Sequence, residues 1–167
     1  SLWFPTIVKK KSIQSVNIGF INLHPSMIPW NRGMHPYYWS FIDDTPVGTT
    51  IHFINENIDE GEILFQSEIK TDWTDTGGSV YQKNLLNTIN LFRTNFEKIL
   101  TSNYKTKLVD NTKGTFHLKK ELDNHSCLDL DKKYTTRDLL NRIRGRTFGD
   151  KGGTFFYDKG KKYFVSI

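Results

Sequence analysis

Cysteine is nearly absent from this chain. Cys127 stands alone among 167 residues, which excludes an internal disulfide and a cysteine-based zinc site. Long apolar runs are missing as well. No stretch approaches the roughly 20 residues a membrane span requires, and nothing at the start reads as a signal peptide. No membrane partner is therefore expected, and the expected location is the cytoplasm. Internal repeats and low-complexity segments are also lacking. Acidic residues are in deficit, with 18 Asp and Glu against 23 Lys and Arg. That surplus is local: seven bases between Arg142 and Lys162 face only Asp150 and Asp158, and this accounts for the whole net charge of +5. A patch of this kind suits a phosphate-bearing small substrate as well as RNA, or is a solvated face, so charge does not by itself select nucleic acid.

A content of 37% hydrophobic and 14% aromatic residues excludes a disordered polar chain. The length suffices for one sizeable core, or a core plus a small appendage. Val16 to Leu23 is an apolar, β-forming run ending in His24-Pro25-Ser26, which predicts a buried strand delivering a polar loop. Pro25, Pro29, Gly33 and Pro36 then keep the chain irregular, and Tyr37 to Ile42 starts a buried helix. Thr49 to Ile54 and Glu62 to Ile69 read as further strands around a polar loop. Caps between Thr76 and Ser79 open a long helix whose Val80, Leu85, Leu86, Ile89, Phe92, Phe96, Ile99 and Leu100 read as core. After Tyr104 the apolar groups shorten. Thr135 or Thr136 caps a second helix broken off by Gly152-Gly153, and aromatic triplets flank Asp158-Lys159-Gly160 as a hairpin. The expected fold is α/β, with a core over 1–104 and a C-terminal helix-and-hairpin subdomain, α+β in character, over 105–167.

The chemistry concentrates in Asn22-Leu23-His24-Pro25-Ser26-Met27-Ile28-Pro29. Asn22 and His24 are two apart at a strand end, so both point to one side. An amide donor and an imidazole facing one space can stabilise an oxyanion and manage a proton. Asp59 lies in the loop between two other strands, where a carboxylate can orient that histidine or take a proton. These roles fit nucleophilic attack on a carbonyl.

The set Asn-x-His-Pro-Ser-x-x-Pro, then Arg32-Gly33, Thr50-Ile51-His52-Phe53 and Ile58-Asp59-Glu60-Gly61-Glu62-Ile63-Leu64 resembles the folate-dependent formyltransferase family over about residues 3 to 100. That family includes the glycinamide ribonucleotide, methionyl-tRNA and nucleotide-sugar enzymes. The resemblance implies a Rossmann-like core with 10-formyltetrahydrofolate as formyl donor. It also implies catalytic roles for Asn22 (oxyanion donor), His24 (polariser or proton acceptor) and Asp59 (holding His24 or relaying the amine proton). Carried over by position, the folate pocket falls on Phe4, Pro5, Thr6 and Ile7, with Ile54, Asn55, Asn57 and Ile58. The loop acts there mostly through its backbone.

Arg32-Gly33-Met34-His35-Pro36-Tyr37-Tyr38-Trp39 is similar to enzymes formylating nucleotide-linked amino sugars, and lacks the Ala-Ala-Pro that typically follows Arg-Gly in methionyl-tRNA enzymes. So is the ending, with Arg144-Gly145-Arg146-Thr147-Phe148 before an aromatic hairpin. The resemblance thus implies a dTDP-linked 3- or 4-amino-dideoxy sugar as acceptor, feeding lipopolysaccharide O-antigen or similar surface glycans. Candidate substrate contacts are Arg32, His35, Trp39, Arg144 and Arg146, with core packing the alternative for His35 and Trp39. A homodimer through the C-terminal region is a further expectation. The competing readings are a methionyl-tRNA formyltransferase, a basic binding module or an inactive remnant. The chain opens on Ser1-Leu2-Trp3-Phe4, and the family's first strands and helices are expected to precede that point. His52 reads as a packed or supporting histidine. His24, His52 and Asp59 also form a two-histidine, one-carboxylate set, but the resemblance accounts for them without a metal, and none is expected.

Overall fold

The computed structural model describes residues 8–167. Their first helix, α1 (Lys10–Gln14), leads to β1 (Ile21–His24), β2 (Arg32–Gly33), α2 (Pro36–Ile42), β3 (Gly48–Phe53) and β4 (Ile63–Glu68). The long helix α3 (Gly77–Leu100) follows. Beyond it lie β5 (Phe116–His117), α4 (Lys119–Ser126), β6 (Cys127–Leu128), α5 (Thr136–Gly145), β7 (Thr147–Phe148), β8 (Lys151–Gly152), β9 (Thr154–Asp158) and β10 (Lys161–Val165).

β1, β3 and β4 form one sheet in that order, and both pairings are antiparallel. Its alternation sorts the residues. Leu23, Ile51 and Leu64 point to one face and bury themselves against Leu91, Phe92 and Ile99 of α3. Asn22 and His24 point to the other, opposite His52 and Thr50 on β3. The α3 terminus is made by Thr76, which accepts from the Ser79 amide while Ser79 bonds back to the Thr76 amide, a capping box.

The C-terminal region is a second small sheet, β10-β9-β6, joined to the first through α2, α5 and a parallel pairing of β2 with β5. The β9–β10 turn has φ of 47° at Lys159 and 78° at Gly160, the doubly positive pair a two-residue primed hairpin turn needs.

Three elements differ from expectation. The first strand begins at Ile21 and not at Val16, because Val16 and Ile18 are exposed and Gly19 bends away at φ 126°. α5 ends at Gly145, well before Gly152. A Cβ at Gly145 would crowd the rings of Tyr38 and Phe41, so this helix end is set by close approach to α2. The α3 stripe is only partly core. Val80 is buried, but Leu86 and Leu100 are 69% and 65% exposed, while Asn84, Thr88 and Asn95 occupy the buried face. Those amides and hydroxyls have partners: Asn84 accepts from Thr49 and donates to the Pro25 carbonyl, and Thr88 pairs with Thr49.

Candidate active site

The end of β1 owes its shape to polar groups from the neighbouring strands. Thr50 donates to the Ser26 carbonyl (2.7 Å) and accepts from the Ile28 amide (3.1 Å). Gln66 donates to the Ile28 carbonyl, and Asn84 to that of Pro25. These bonds satisfy backbone groups that a loop buried between strands and α3 would otherwise orphan. They hold His24-Pro25-Ser26 in one conformation.

Asp59 reaches this strand end from the loop between β3 and β4. Its φ of 55° is left-handed, a conformation that costs a non-glycine residue roughly 1–2 kcal/mol. Neighbours hold it there. The Gly33 amide donates to Oδ2 at 2.9 Å, Arg32 pairs with Glu60 next door, and Glu60 also accepts from Asn57. Gly61 is obligatory, since a Cβ would run into the Phe53 carbonyl oxygen. Asp59 therefore lies 3.6 Å from His24 Nδ1 through Oδ2 and 3.6 Å from His52 Nε2 through Oδ1.

His52, 2% exposed, donates from Nδ1 to the Phe53 carbonyl (2.7 Å), which leaves Nε2 as an acceptor. The Asn22 amide nitrogen lies 3.4 Å from that Nε2, so one amide hydrogen is committed to His52 and the second is left for the cleft. His24 is 6% exposed, with an acceptor at each end: Asp59 at Nδ1 and the Asn31 carbonyl at Nε2, 3.3 Å away. Burial pulls its pKa below the usual value, and Asp59 only partly restores it. Burial alone would raise the pKa of Asp59. The charge of His24 first, and then the Gly33 amide, overcome this and hold it at about 2. The pair at neutral pH is thus a carboxylate beside a neutral imidazole that can take a second proton.

These residues open onto a cleft of about 720 Å³, within the usual range for small-molecule sites. Its other walls are the β2–α2 turn, with His35, and the rings of Tyr37, Tyr81 and Phe116, with Lys119 near its rim. The Tyr37 hydroxyl lies 2.8 Å from His35 Nδ1, and Tyr37 meets Tyr81 and Phe148 edge to face. Burial first, then Arg146, lowers the His35 pKa.

Asn22, His24, Asp59, His35 and Ile58 all line this cleft. The other expected contacts fall elsewhere. Arg32 is buried in its pair with Glu60, because its side chain turns toward the Asp59 loop and over Phe116. Trp39 stacks flat on His117 with centroids 3.8 Å apart, behind the cleft wall. Arg144 is held between the rings of Phe41 and Trp73 and donates to the Asp72 carbonyl. Arg146 packs its guanidinium against Gly153. Asn55 and Asn57 bond within their own exposed loop, and Ile54 is half-buried at its base. Phe4, Pro5, Thr6 and Ile7 lie outside the described residues. The supporting groups Thr50, Gln66, Asn84 and Glu60 escaped the sequence reading. Polar residues inside otherwise apolar strand and helix faces were the signal that could have found them.

Among the described residues no cluster of His, Cys, Asp or Glu could hold a metal ion, and no helix is long and apolar enough to cross a membrane.

Known proteins carry the same architecture. The chain is 36% identical over 148 residues to the dTDP-4-amino-4,6-dideoxyglucose formyltransferase of Mycobacterium tuberculosis, covering 88% of this chain and 63% of that protein. It therefore spans a little under two thirds of that relative's length. A 4-N formyltransferase from Francisella tularensis superimposes with a TM-score of 0.90 at 30% identity, over 97% of this chain and 66% of that one. The formyltransferase PseJ from Anoxybacillus kamchatkensis, in complex with UDP-4,6-dideoxy-4-formamido-L-AltNAc and tetrahydrofolate, gives 0.62 at 30% identity, over 75% and 64%. Residues 3–92 match the formyl transferase family model and residues 121–167 the N-formyltransferase dimerization C-terminal domain. The chain belongs to the formyltransferase family.

Proposed function

We propose that this chain carries the catalytic centre of an N-formyltransferase that moves a formyl group from 10-formyltetrahydrofolate to the amine of a nucleotide-linked amino sugar, dTDP-linked. The observation that carries this reading is the convergence of Asn22, His24 and Asp59 at one end of an aromatic-walled cleft. The relatives named for a dTDP-amino sugar, and crystallised with a UDP-linked formamido sugar and tetrahydrofolate, support the acceptor and donor classes.

The folate fits the residues present. Ile58 is 43% exposed yet lines the cleft beside Asp59, an apolar shelf for a flat ring, and the side chains of Asn55 and Asn57 are occupied within their turn. When bound, the donor supplies an activated formyl carbon. The free Asn22 amide hydrogen donates to the carbonyl oxygen as charge develops on it. His24 takes the proton that the attacking amine sheds and Asp59 holds the resulting imidazolium, and that proton would pass to the N10 nitrogen of tetrahydrofolate as its bond to the formyl carbon breaks. The rings of Tyr37, Tyr81 and Phe116 exclude water and offer faces to the nucleotide sugar. Lys119 stands where a diphosphate would enter.

In this reading residues 1–104 form the catalytic core and 105–167 a subdomain through which two copies pair, in the cytoplasm. The test is formyl transfer by the purified protein from 10-formyltetrahydrofolate to dTDP-4-amino-4,6-dideoxyglucose, followed by mass spectrometry, with charged methionyl-tRNA in parallel. Formylated sugar and unmodified tRNA are expected. The reverse outcome would reassign the acceptor, and no transfer to either would sink the enzyme reading.

A further inference from the structure

The residue that opens α2 is a left-handed histidine. His35 has φ 62°, a backbone state that glycine holds without strain and a larger side chain resists. Its imidazole makes no cap to α2. It lines the cleft instead, half-buried, on the wall it shares with Tyr37, Tyr81 and Phe116. We propose that His35 selects the acceptor sugar, donating a hydrogen bond from Nε2 to the ring hydroxyl next to the amine that is formylated. This rests on the N-formyltransferase reading above and adds to it the atom that recognises the sugar.

The hydrogen-bonding state of the ring follows from its neighbours. The Tyr37 hydroxyl lies 2.8 Å from Nδ1 and has no other acceptor among the described residues. Burial raises the Tyr37 pKa and, ahead of the Arg146 charge, lowers that of His35, so a protonated hydroxyl meets a neutral imidazole. The hydroxyl therefore donates to Nδ1, and the ring's own proton sits on Nε2. That N–H has no acceptor among the described residues. Asp123, the acid that acts on this ring, does so through charge alone. Tyr37 is itself fixed edge to face against Tyr81 and Phe148, so the imidazole is pinned at Nδ1 and open at Nε2.

Position chooses the partner. Two residues before His35, the Gly33 amide holds Asp59 Oδ2 at 2.9 Å. A donor on the turn that also fixes this carboxylate meets the sugar near its reacting carbon, not at its phosphates. A neutral N–H suits a neutral hydroxyl, whereas Lys119 on the same cleft carries the charge that a diphosphate calls for. A site built to bond a hydroxyl rejects an analogue without it, because the donor is then left unpaired.

The test compares formyl transfer to dTDP-4-amino-4,6-dideoxyglucose and to its 3-deoxy analogue, which lacks the hydroxyl beside the amine. In the native chain kcat/KM for the analogue should be at least about tenfold lower. Asparagine also tolerates a left-handed backbone, so His35→Asn should stay folded. It should lower kcat/KM for the hydroxylated sugar about tenfold while leaving the analogue and the KM for 10-formyltetrahydrofolate unchanged, which abolishes the discrimination. Tyr37→Phe keeps the ring contacts but lets Nδ1 carry the proton, and should lose part of the discrimination. Full discrimination retained in either variant, as when His35→Asn slows both sugars equally, or none in the native chain, would overturn the proposal and leave the formyltransferase reading standing. No transfer to either sugar by the native chain would sink that reading and this proposal with it.

Discussion

Asn22 meets His52 through one amide hydrogen and the cleft through the other, so its proposed role depends on a neighbour that never touches substrate. Removing such an oxyanion donor typically costs about 10²–10³ in rate. Asn22→Ala should lower kcat for formyl transfer by that amount with little change in unfolding midpoint, and wild-type kcat in the variant would remove Asn22 from the mechanism. Asp59 carries a pH signature. Its folded pKa of about 2 lies below the unfolded value. Its stabilisation, about 2 kcal/mol, is therefore complete above about pH 4 and lost as pH falls toward 2. Urea denaturation between those limits should show a shallower acid limb for Asp59→Asn than for the native chain. His24, its pKa lowered by burial, adds a separate loss that sets in below about pH 6.5. The residues themselves were legible because Asn22, His24 and Asp59 stand in Pro-Ser-x-x-Pro and Asp-Glu-Gly contexts. Arg144, held between two rings, and Trp39, stacked on an imidazole, lie away from the cleft, and neither packing partner could be read from the sequence.

At the scale of elements, a polar seam shares the docking of α3 with the apolar residues Phe92 and Ile99. α3 grips β3 and the β1 loop through Asn84, which serves both Thr49 and the Pro25 carbonyl. Asn84→Ala leaves the Pro25 carbonyl buried without its donor, while Thr49 keeps Thr88, and should cost about 1 kcal/mol in denaturant titrations. It should also lower formyl transfer, since Pro25 adjoins His24. A loss under about 0.5 kcal/mol would mean the seam is incidental. The β2–β5 pairing is a second such joint. Gly33 has φ 86°, and a Cβ there would run into the His117 carbonyl oxygen. Gly33→Ala must therefore separate β2 from β5 and shift the amide that holds Asp59. Formyl transfer should fall at least about tenfold with a lowered Tm, read by paired activity and melting measurements. Helical spacing announced α3 correctly. It could not say which side faces the sheet, because the apolar stripe and the Asn-Thr seam lie on adjoining faces of one helix.

Over the whole molecule, the described residues leave β1 at a sheet edge and Leu86, Ile89, Phe96 and Leu100 exposed along α3. At the other end Tyr157, Tyr163, Phe164 and Ile167 are exposed around the β9–β10 hairpin, apolar area consistent with the proposed pairing of two copies. Phe164 is 62% exposed, so Phe164→Glu should leave the fold intact while converting a dimer to a monomer in light scattering. An unchanged mass would move the interface elsewhere. The local chemistry of this protein was determined by sequence alone: the strand that presents Asn22 and His24 on one side, the Asp-Glu-Gly loop, the capped long helix and the primed hairpin all follow from short-range backbone preference and periodicity. Tertiary structure decided the rest. It brought Asp59 within 3.6 Å of both His24 and His52, buried Arg32 against Glu60, and turned the amides of α3 inward. Those outcomes depend on which surfaces meet across long sequence separations, and side-chain pairing between distant segments has no local signature.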